Sequence, residues 1–296
     1  MQRTIDLVPG VRLWAEERGP ADAPPLLLIM GASASGLAWP EEFVDALAER
    51  HHVIRYDHRD TGRSTWAFDE RPYRITDLAD DALAVLDAHG VGRAHVVGMS
   101  LGGMLAQLLM ADHPDRVLSA TLIGTRALSE APLVHADGTR TPVADLPGPS
   151  PRMLDVLTER PAGDPGPEAA LERAVELWRM LSGDELPFHA EEIRERERRV
   201  LAHAGRQDSS TAHARADSSG MLRTAALARN AVPTLVVDAT ADPLFPSLNA
   251  HHLAQVITAA TLVEMPGMGH ALPRECLRPL ADAILAHTGE GRAAEA

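Results

Sequence analysis

The chain has 296 residues, of which 45% are hydrophobic and 3% are aromatic, and its formal net charge at pH 7 is −14. This length and apolar content fit one large α/β domain with an insertion, and the negative charge disfavours nucleic acids and anionic membranes as partners. Its single cysteine, Cys276, excludes an intrachain disulfide and is predicted to be a packed hydrophobe. Because the N-terminus lacks the apolar run of a signal peptide, we expect a cytoplasmic protein, with a monomer favoured.

The first third of the chain alternates short apolar runs with amphipathic patterns. Strands are predicted at 11–17, 25–30, 53–56, 93–97 and 117–123, and helices at 41–49, 76–89 and 101–112. This alternation is typical of a parallel sheet that is covered by helices on both faces.

The pattern changes between residues 126 and 220, where prolines are frequent and no strand-like run occurs. We interpret this segment as an inserted helical lid on a core formed by residues 1–125 and 221–296. Its most strongly patterned helix, at 169–181, has an apolar face that can pack within the lid or line a substrate pocket. Strands at 233–237 and 261–264 and helices at 248–256 and 277–287 then resume the alternation.

The segment Gly98-Met99-Ser100-Leu101-Gly102 matches the pattern G-x-S-x-G between a predicted strand and a predicted helix. A Ser/Gly-rich turn can be a simple connection, but this context predicts a nucleophile elbow, a tight turn that presents a serine hydroxyl to a cleft. Ser100 is therefore the candidate nucleophile for attack on a carbonyl carbon.

A serine nucleophile needs a base within hydrogen-bonding reach and a carboxylate that orients the base. Asp242 and His270 each follow a late strand, in the segments 239–243 and 266–270, and the chain order Ser100, Asp242, His270 is the order of an α/β-hydrolase triad. Asp238 is the competing carboxylate, but it lies within or at the end of a predicted strand. We therefore predict that Asp242 orients His270.

The oxyanion that forms during attack needs two N–H donors. The candidates are the backbone amides of Leu101, directly after the nucleophile, and of Ala32, in the small-residue loop 31–36. That loop can also be an ordinary connection between a strand and a helix.

Other chemistries have weaker support in the sequence. Ser100 stands where an epoxide hydrolase or a haloalkane dehalogenase of this architecture needs a carboxylate. The pairs His51-His52 and His251-His252 are interpreted as surface features, and the alternating Arg and Glu residues at 191–199 as a solvated helix face. No dinucleotide or phosphate-loop fingerprint occurs, so we predict neither a metal nor a cofactor.

With these motifs, the chain resembles the α/β-hydrolase superfamily and, within it, the aclacinomycin methylesterases of anthracycline biosynthesis. The longer matches that indicate the subgroup are residues 56–64 (YDHRDTGRS), 178–183 (WRMLSG) and 266–273 (PGMGHALP). The resemblance implies an α/β-hydrolase fold: a mostly parallel, eight-stranded sheet with helices on both faces and an inserted helical lid. Family members often have a second glycine where this chain has Ala32.

The resemblance further implies hydrolysis of a carboxylic methyl ester on a flat aromatic polyketide, with Ser100, Asp242 and His270 as the triad. The candidate substrate-binding residues are Gly31, Met153, Leu154, Leu157, Trp178, Leu181 and Phe188. The alternatives are hydrolysis of another small ester or a lactone, a cofactor-free perhydrolase or haloperoxidase-like activity, and a ligand-binding protein without turnover.

Overall fold

A computed structural model describes residues 1–158, 166–206 and 210–293 of the chain. The strands within these ranges are β1 (Gln2–Val8), β2 (Val11–Arg18), β3 (Pro25–Ile29), β4 (His52–Tyr56), β5 (Ala94–Met99), β6 (Val117–Ile123), β7 (Leu133–Val134), β8 (Arg140–Thr141), β9 (Thr234–Ala239) and β10 (Ala260–Met265). The α-helices are α1 (Glu41–Ala48), α2 (Ile75–Ala88), α3 (Leu101–Asp112), α4 (Pro151–Thr158), α5 (Pro167–Leu181), α6 (Ala190–Ala204), α7 (Ala212–Arg215), α8 (Thr224–Leu227), α9 (Leu248–Val256) and α10 (Arg274–Ala293).

Eight of the strands form one sheet in the order β1-β2-β4-β3-β5-β6-β9-β10. β1 and β2 form an antiparallel hairpin, β2 pairs antiparallel with β4, and every later neighbour pairs parallel. The predicted fold class, a mostly parallel eight-stranded sheet, is therefore confirmed. Because parallel strands end at a common edge, the loops after β3, β5, β6, β9 and β10 lie together.

Both faces of the sheet are buried, as the continuous apolar runs predict. Successive residues of β3 alternate between two clusters, with Leu27 and Ile29 in one and Leu26 and Leu28 in the other. Helices α2, α3 and α9 contribute to the first cluster, and α1 and α10 to the second. Cys276 is buried in the second cluster, which confirms its predicted packing role. No described helix is both long enough and apolar enough to cross a bilayer.

Between β6 and β9 the chain leaves the sheet and forms α4 to α8. The predicted helix at 169–181 is confirmed as part of α5. The prediction that this segment contains no strand is wrong, since β7 and β8 pair as a short antiparallel hairpin closed by a Gly138 turn with φ of 85°. Strands of two residues that are partly exposed are too short to produce a periodic apolar signal. The hydrophobic pattern of the sequence could therefore not reveal them.

The interpretation of the histidine pairs as surface features is wrong for three of the four side chains. The buried members are His51, His52 and His252. His252 lies on the inner face of α9 and donates from Nε2 to the Ala131 carbonyl oxygen over 2.7 Å, while His251 remains exposed. Adjacent residues on a helix point in different directions, and this pair has one inner and one outer member.

The interpretation of residues 191–199 as a solvated helix face is likewise wrong in part. Arg196 and Glu197, on α6, are 5% and 7% exposed. Arg196 donates from Nε to Glu197 over 3.2 Å and lies 4.2 Å above the Trp178 ring. The guanidinium is therefore buried by a carboxylate and an aromatic face that belong to the same inserted segment.

Candidate active site

Ser100 occupies the sharp turn between β5 and α3, with φ of 56° and ψ of −119°. A positive φ is unfavourable for a residue with a Cβ, and it is held here by two hydrogen bonds. The Ser100 N–H donates to the Ile123 carbonyl oxygen over 2.9 Å, and the Thr125 hydroxyl donates to the Ser100 carbonyl oxygen over 2.8 Å. The surroundings thus impose the strained backbone that a nucleophile elbow requires.

The flanking glycines are required by close backbone contacts. A Cβ on Gly98 would lie 2.2 Å from the Gly102 carbonyl oxygen, and a Cβ on Gly102 would lie 2.0 Å from the Ile29 carbonyl oxygen. These contacts let α3 pack directly against β3 and β5.

We expect Gly98→Ala to destabilise the protein by about 3 kcal/mol or more, because the new methyl group meets backbone that cannot move away. Gly92→Ala is the matched control, since a Cβ at Gly92 would have no neighbour within 4 Å. Urea unfolding followed by circular dichroism measures both variants. An equal, small effect of the two substitutions would contradict the packing argument.

Asp242 and His270 are in direct contact at the carboxyl edge of the sheet. The His270 Nδ1 lies 2.7 Å from Asp242 Oδ2, and the residues are 5% and 3% exposed. The other carboxylate oxygen, Oδ1, accepts the backbone N–H groups of Leu244 (2.7 Å) and Phe245 (3.0 Å). These two amides fix the carboxylate, so its remaining oxygen can orient the imidazole.

Gly124 connects this pair to Ser100. It directly follows Ile123, the acceptor of the Ser100 N–H, and a Cβ on Gly124 would lie 2.9 Å from Asp242 Oδ2 and 3.2 Å from His270 Nδ1. Gly124 is not among the residues predicted from the sequence. The sequence feature that could have identified it is a glycine directly after a strand that neighbours the elbow strand. A side chain at this position would displace the imidazole.

The segment 31–34, which supplies one predicted oxyanion donor, is a turn beside Ser100. A Cβ on Gly31 would lie 3.2 Å from the Ser100 Cβ, and the Ala34 N–H closes the turn on the Gly31 carbonyl oxygen over 3.4 Å. Leu101, the other predicted donor, is the first residue of α3, where an N–H has no acceptor within its own helix. Both candidate amides therefore lie next to the candidate nucleophile.

Part of the inserted segment is fixed to the His270 loop. The His270 N–H donates to the Leu181 carbonyl oxygen at the end of α5 over 2.7 Å, and a Cβ on Gly269 would lie 2.2 Å from the Ser182 carbonyl oxygen. Beside this junction, Met153 and Leu181 form an apolar cluster. Its other members are Leu177, Trp178, Met180, Leu244 and Phe245. The Phe245 ring centroid is 5.6 Å from that of His270, so the cluster borders the imidazole.

Three predicted substrate-binding residues lie outside this apolar cluster. Leu154 and Leu157 on α4 are 48% and 38% exposed, and the Phe188 ring packs under the Arg179 guanidinium at 4.4 Å. The structure thus brings together Met153, Trp178 and Leu181 near His270, and Gly31 beside Ser100, but it does not add the other three to either group.

Comparison with known proteins agrees with this architecture. Residues 24–273 match the model of the family described as the alpha/beta hydrolase fold. The chain is a member of that family. It is 48% identical over 286 residues to the rhodomycin D methylesterase DauP of Streptomyces sp. (strain C5), covering 94% of this chain and 95% of that protein. It is 47% identical to the rhodomycin D methylesterase DnrP of Streptomyces peucetius, with the same two coverages.

Among solved structures, a hydrolase from Pseudomonas aeruginosa PA01 superimposes with a TM-score of 0.71 at 25% identity, covering 97% of this chain and 98% of the other. The resemblance to methylesterases that the motifs indicated is thereby confirmed, and the protein is an enzyme of the hydrolase class.

In the hydrolase, the buried His213 contacts the turn that supplies one candidate oxyanion donor, and it was not predicted from the sequence. His213, on α7, accepts the Ser33 N–H at Nδ1 over 2.9 Å and donates from Nε2 to the Arg59 carbonyl oxygen over 3.0 Å. Its ring meets those of His58 and Tyr73 edge to face, at 5.4 and 6.2 Å. Burial, followed by the neighbouring His58, lowers the pKa of His213 to about 3, so the imidazole is neutral at ordinary pH.

We expect His213 to make the hydrolase less stable in acid. Between the ordinary pKa of 6.5 and the folded-state pKa of about 3, the unfolded chain binds a proton that the folded protein does not. Above pH 6.5 neither state binds this proton, so the free energy of unfolding keeps its full value. As the pH falls from 6.5 towards 3, the free energy of unfolding decreases by about 1.4 kcal/mol per pH unit.

Urea unfolding of the wild type and of His213→Asn, each at about pH 7 and about pH 4.5, measures this contribution, because the other titrating groups cancel in the comparison. The variant should lose less stability than the wild type over this interval. Equal losses would show that His213 binds a proton equally well in the folded and unfolded states.

Asp238, the competing carboxylate, lies apart from the imidazole of His270. It is the fifth residue of β9, pairs in register with Glu264 of β10, and its Oδ2 is 3.5 Å from the His251 Nε2. Single ligand atoms of these three residues lie within 4.8 Å of one another, which is the spacing of a potential metal site among the described residues. Glu264 and His251 are exposed, and we interpret the His251–Asp238 contact as a polar contact beside the sheet edge.

A second buried aspartate–histidine pair joins α6 to the loop after β4. His203 Nε2 lies 2.7 Å from Asp57 Oδ2, and Asp57 also accepts the Arg63 N–H at Oδ2 and the Ser35 hydroxyl at Oδ1. A groove of about 840 Å³ opens nearby, lined by residues that include Trp14 and none of the predicted site residues. The Asp57–His203 pair therefore fixes α6 of the inserted segment to the loop after β4 and, through Ser35, to the loop 31–36.

Proposed function

We propose that the protein hydrolyses a carboxylic methyl ester on a bulky, anthracycline-like aromatic polyketide, with Ser100, His270 and Asp242 as its catalytic triad. The observation that carries the proposal is the 2.7 Å contact between buried His270 and Asp242 at the sheet edge where Ser100 is held at a positive φ. The likeness to two rhodomycin D methylesterases over 94% of the chain supports the choice of ester.

The first half of the reaction acylates Ser100. The His270 Nε2 takes the hydroxyl proton while Ser100 Oγ attacks the ester carbonyl carbon, which becomes tetrahedral and carries an oxyanion. Asp242 stabilises the imidazolium, because its Oδ2 accepts the Nδ1 proton. As the carbon–methoxy bond breaks, the methoxy oxygen receives the proton from Nε2 and leaves as methanol.

The second half releases the acid. Water gives a proton to His270 Nε2 and attacks the acyl carbon, the bond to Ser100 Oγ breaks, and Oγ takes that proton back. The backbone N–H groups of Ala32 and Leu101 donate to the oxyanion in both halves. Leu101 is favoured for this task because the N-terminus of α3 carries a partial positive charge.

The apolar cluster beside His270 supports the aromatic part of the substrate. Trp178 on α5 and Phe245 in the loop after β9 are half-buried members of this cluster, and Met153 and Leu181 are buried within it. Burial of a fused ring system against such side chains contributes about 25 cal/mol per Å² of apolar surface. Leu154, Leu157 and Phe188 extend this surface in the proposal, with residues 126–220 acting as a lid over the core.

The test is to incubate the purified protein with a panel of aromatic polyketide methyl esters and to follow the acid and methanol by mass spectrometry. Run in heavy-oxygen water, the reaction should place one labelled oxygen in the product carboxylate, as cleavage of the acyl–oxygen bond requires. Ethyl and isopropyl esters of the same acids are the matched controls for the alcohol part.

Conversion of the methyl esters at a higher kcat/KM than the bulkier esters, with the label in the acid, supports the proposal. Turnover that requires added hydrogen peroxide would replace it with a perhydrolase activity. Binding of the esters without conversion would replace it with a ligand-binding role.

A further inference from the structure

We propose that His213 is a positioning residue for the oxyanion hole, holding the turn 31–34 so that the Ala32 N–H is available to the substrate oxygen. The inference rests on the proposed function, because it assigns a task to the amide that we place in the oxyanion hole. Among the described residues, the hydrogen bonds and ring contacts of His213 are with Ser33, Arg59, His58 and Tyr73 and not with Ser100 or His270, so it acts through the turn.

Three consecutive N–H groups follow Gly31 in the turn, those of Ala32, Ser33 and Ala34. The Ala34 N–H closes the turn on the Gly31 carbonyl oxygen, and the Ser33 N–H is accepted by His213 Nδ1. Within the described residues, the intervening Ala32 N–H has no such protein acceptor. His213 thus accepts the Ser33 N–H, and the adjacent Ala32 N–H stays available to a substrate oxygen.

The backbone at Ser33 shows why the turn needs an external support. Its φ is 60°, a left-handed conformation that costs a non-glycine residue about 1 kcal/mol or more. Without the bond to His213, Ser33 can relax to a negative φ, and this rotation re-aims the peptide plane beside Ala32. An Ala32 N–H that points away from the oxyanion stabilises it less, because the strength of a hydrogen bond depends on its direction.

The imidazole suits this task only in one protonation state. Nδ1 accepts an N–H only when it carries no proton, and Nε2 must carry one to donate to the Arg59 carbonyl oxygen. The ring is 5% exposed and faces the rings of His58 and Tyr73. Burial keeps the ring neutral, and the Ser33 N–H at Nδ1 and the Arg59 carbonyl oxygen at Nε2 place its hydrogen on Nε2.

The support comes from the inserted segment, 180 residues away in the chain. Its helix, α7, has its own attachment to the core: Arg215 pairs with Asp69 at 2.7 Å and lies 4.8 Å above the Phe68 ring. Helix α7 therefore retains this anchor when the ring at position 213 is changed. Variants at this position can be compared in a folded protein.

Two neutral substitutions separate the two hydrogen bonds of the ring. In His213→Asn the side-chain oxygen takes the place of Nδ1 and can still accept the Ser33 N–H, while the bond to Arg59 is lost. In His213→Gln the terminal amide is one bond longer, reaches the position of Nε2, and can donate to the Arg59 carbonyl oxygen but leaves Ser33 without its acceptor.

The measurements are kcat and KM with p-nitrophenyl acetate and the rate at which diethyl p-nitrophenyl phosphate phosphorylates the enzyme. Removal of one oxyanion donor lowers kcat by about 10²–10³-fold, so we expect a loss of about 10–100-fold in His213→Gln from a donor that is displaced but present. KM should stay within about twofold, because ground-state binding is unaffected, and phosphorylation should slow by a similar factor to kcat. His213→Asn should retain kcat within about threefold of the wild type.

Equal losses of kcat in the two variants would overturn the inference, because the proposal makes activity depend on the bond to Ser33 and not on the bond to Arg59. Wild-type rates in His213→Gln would overturn it as well. Failure of the proposed function looks different: the wild type itself would then show no Ser100-dependent turnover and no phosphorylation of Ser100. Circular dichroism and the urea midpoint confirm that each variant is folded.

Discussion

Ser100→Ala is expected to lower kcat with p-nitrophenyl acetate by about 10⁴-fold or more, to the level left by binding and the oxyanion donors alone. In the proposed reaction the Ser100 hydroxyl forms the acyl bond, and an alanine side chain has no atom that can replace it. Stability should rise or stay unchanged, because alanine keeps the same Cβ at a position whose φ of 56° is already strained.

Ser219→Ala is the matched control, since Ser219 is exposed and, within the part of the chain that the structure describes, its hydroxyl bonds only to Asp217, at 2.8 Å. Its kcat should equal that of the wild type. Mass spectrometry of the intact protein after brief exposure to the ester should show an acetyl group on the wild type and on Ser219→Ala but not on Ser100→Ala. Retention of most turnover by Ser100→Ala would remove the assigned nucleophile.

The sheet was predictable because its central strands have continuous apolar runs. The exception was β1, whose residues alternate between exposed and half-buried around the single buried Ile5. An edge strand with one solvated face and polar side chains has a weak periodic signal. The β1–β2 hairpin is formed by pairing with a stronger neighbour, which a window of local sequence does not contain.

The triad candidates were predictable because each of them follows a recognisable strand and lies in a turn rich in small residues. His213 was not, although its function in the proposal is equally specific. Nothing in the residues around it separates it from the other histidines, and its partner Ser33 is 180 residues away. Contacts between the inserted segment and the core depend on tertiary packing, and the same reason explains the unexpected burial of Arg196.

Asp242→Asn is expected to reduce kcat by about 10⁴-fold with little change in KM. Oδ1 accepts the N–H groups of Leu244 and Phe245, so the asparagine oxygen stays there and its NH₂ group faces His270 Nδ1. An amide N–H facing Nδ1 forces the ring hydrogen onto Nε2. The nitrogen that should accept the Ser100 proton is then already protonated, and the base is lost while the site keeps its shape.

Asp238→Asn tests the competing carboxylate with the same chemical change. Asp238 is 2% exposed and contacts His251 rather than His270, so its loss should leave kcat within about threefold of the wild type. At high pH, Asp242→Asn should recover part of its rate, as hydroxide replaces the missing base, whereas Asp238→Asn should follow the wild-type profile. If Asp238→Asn were the slow variant, the carboxylate that orients the imidazole would be the one within β9, and the 2.7 Å contact of Asp242 would be structural.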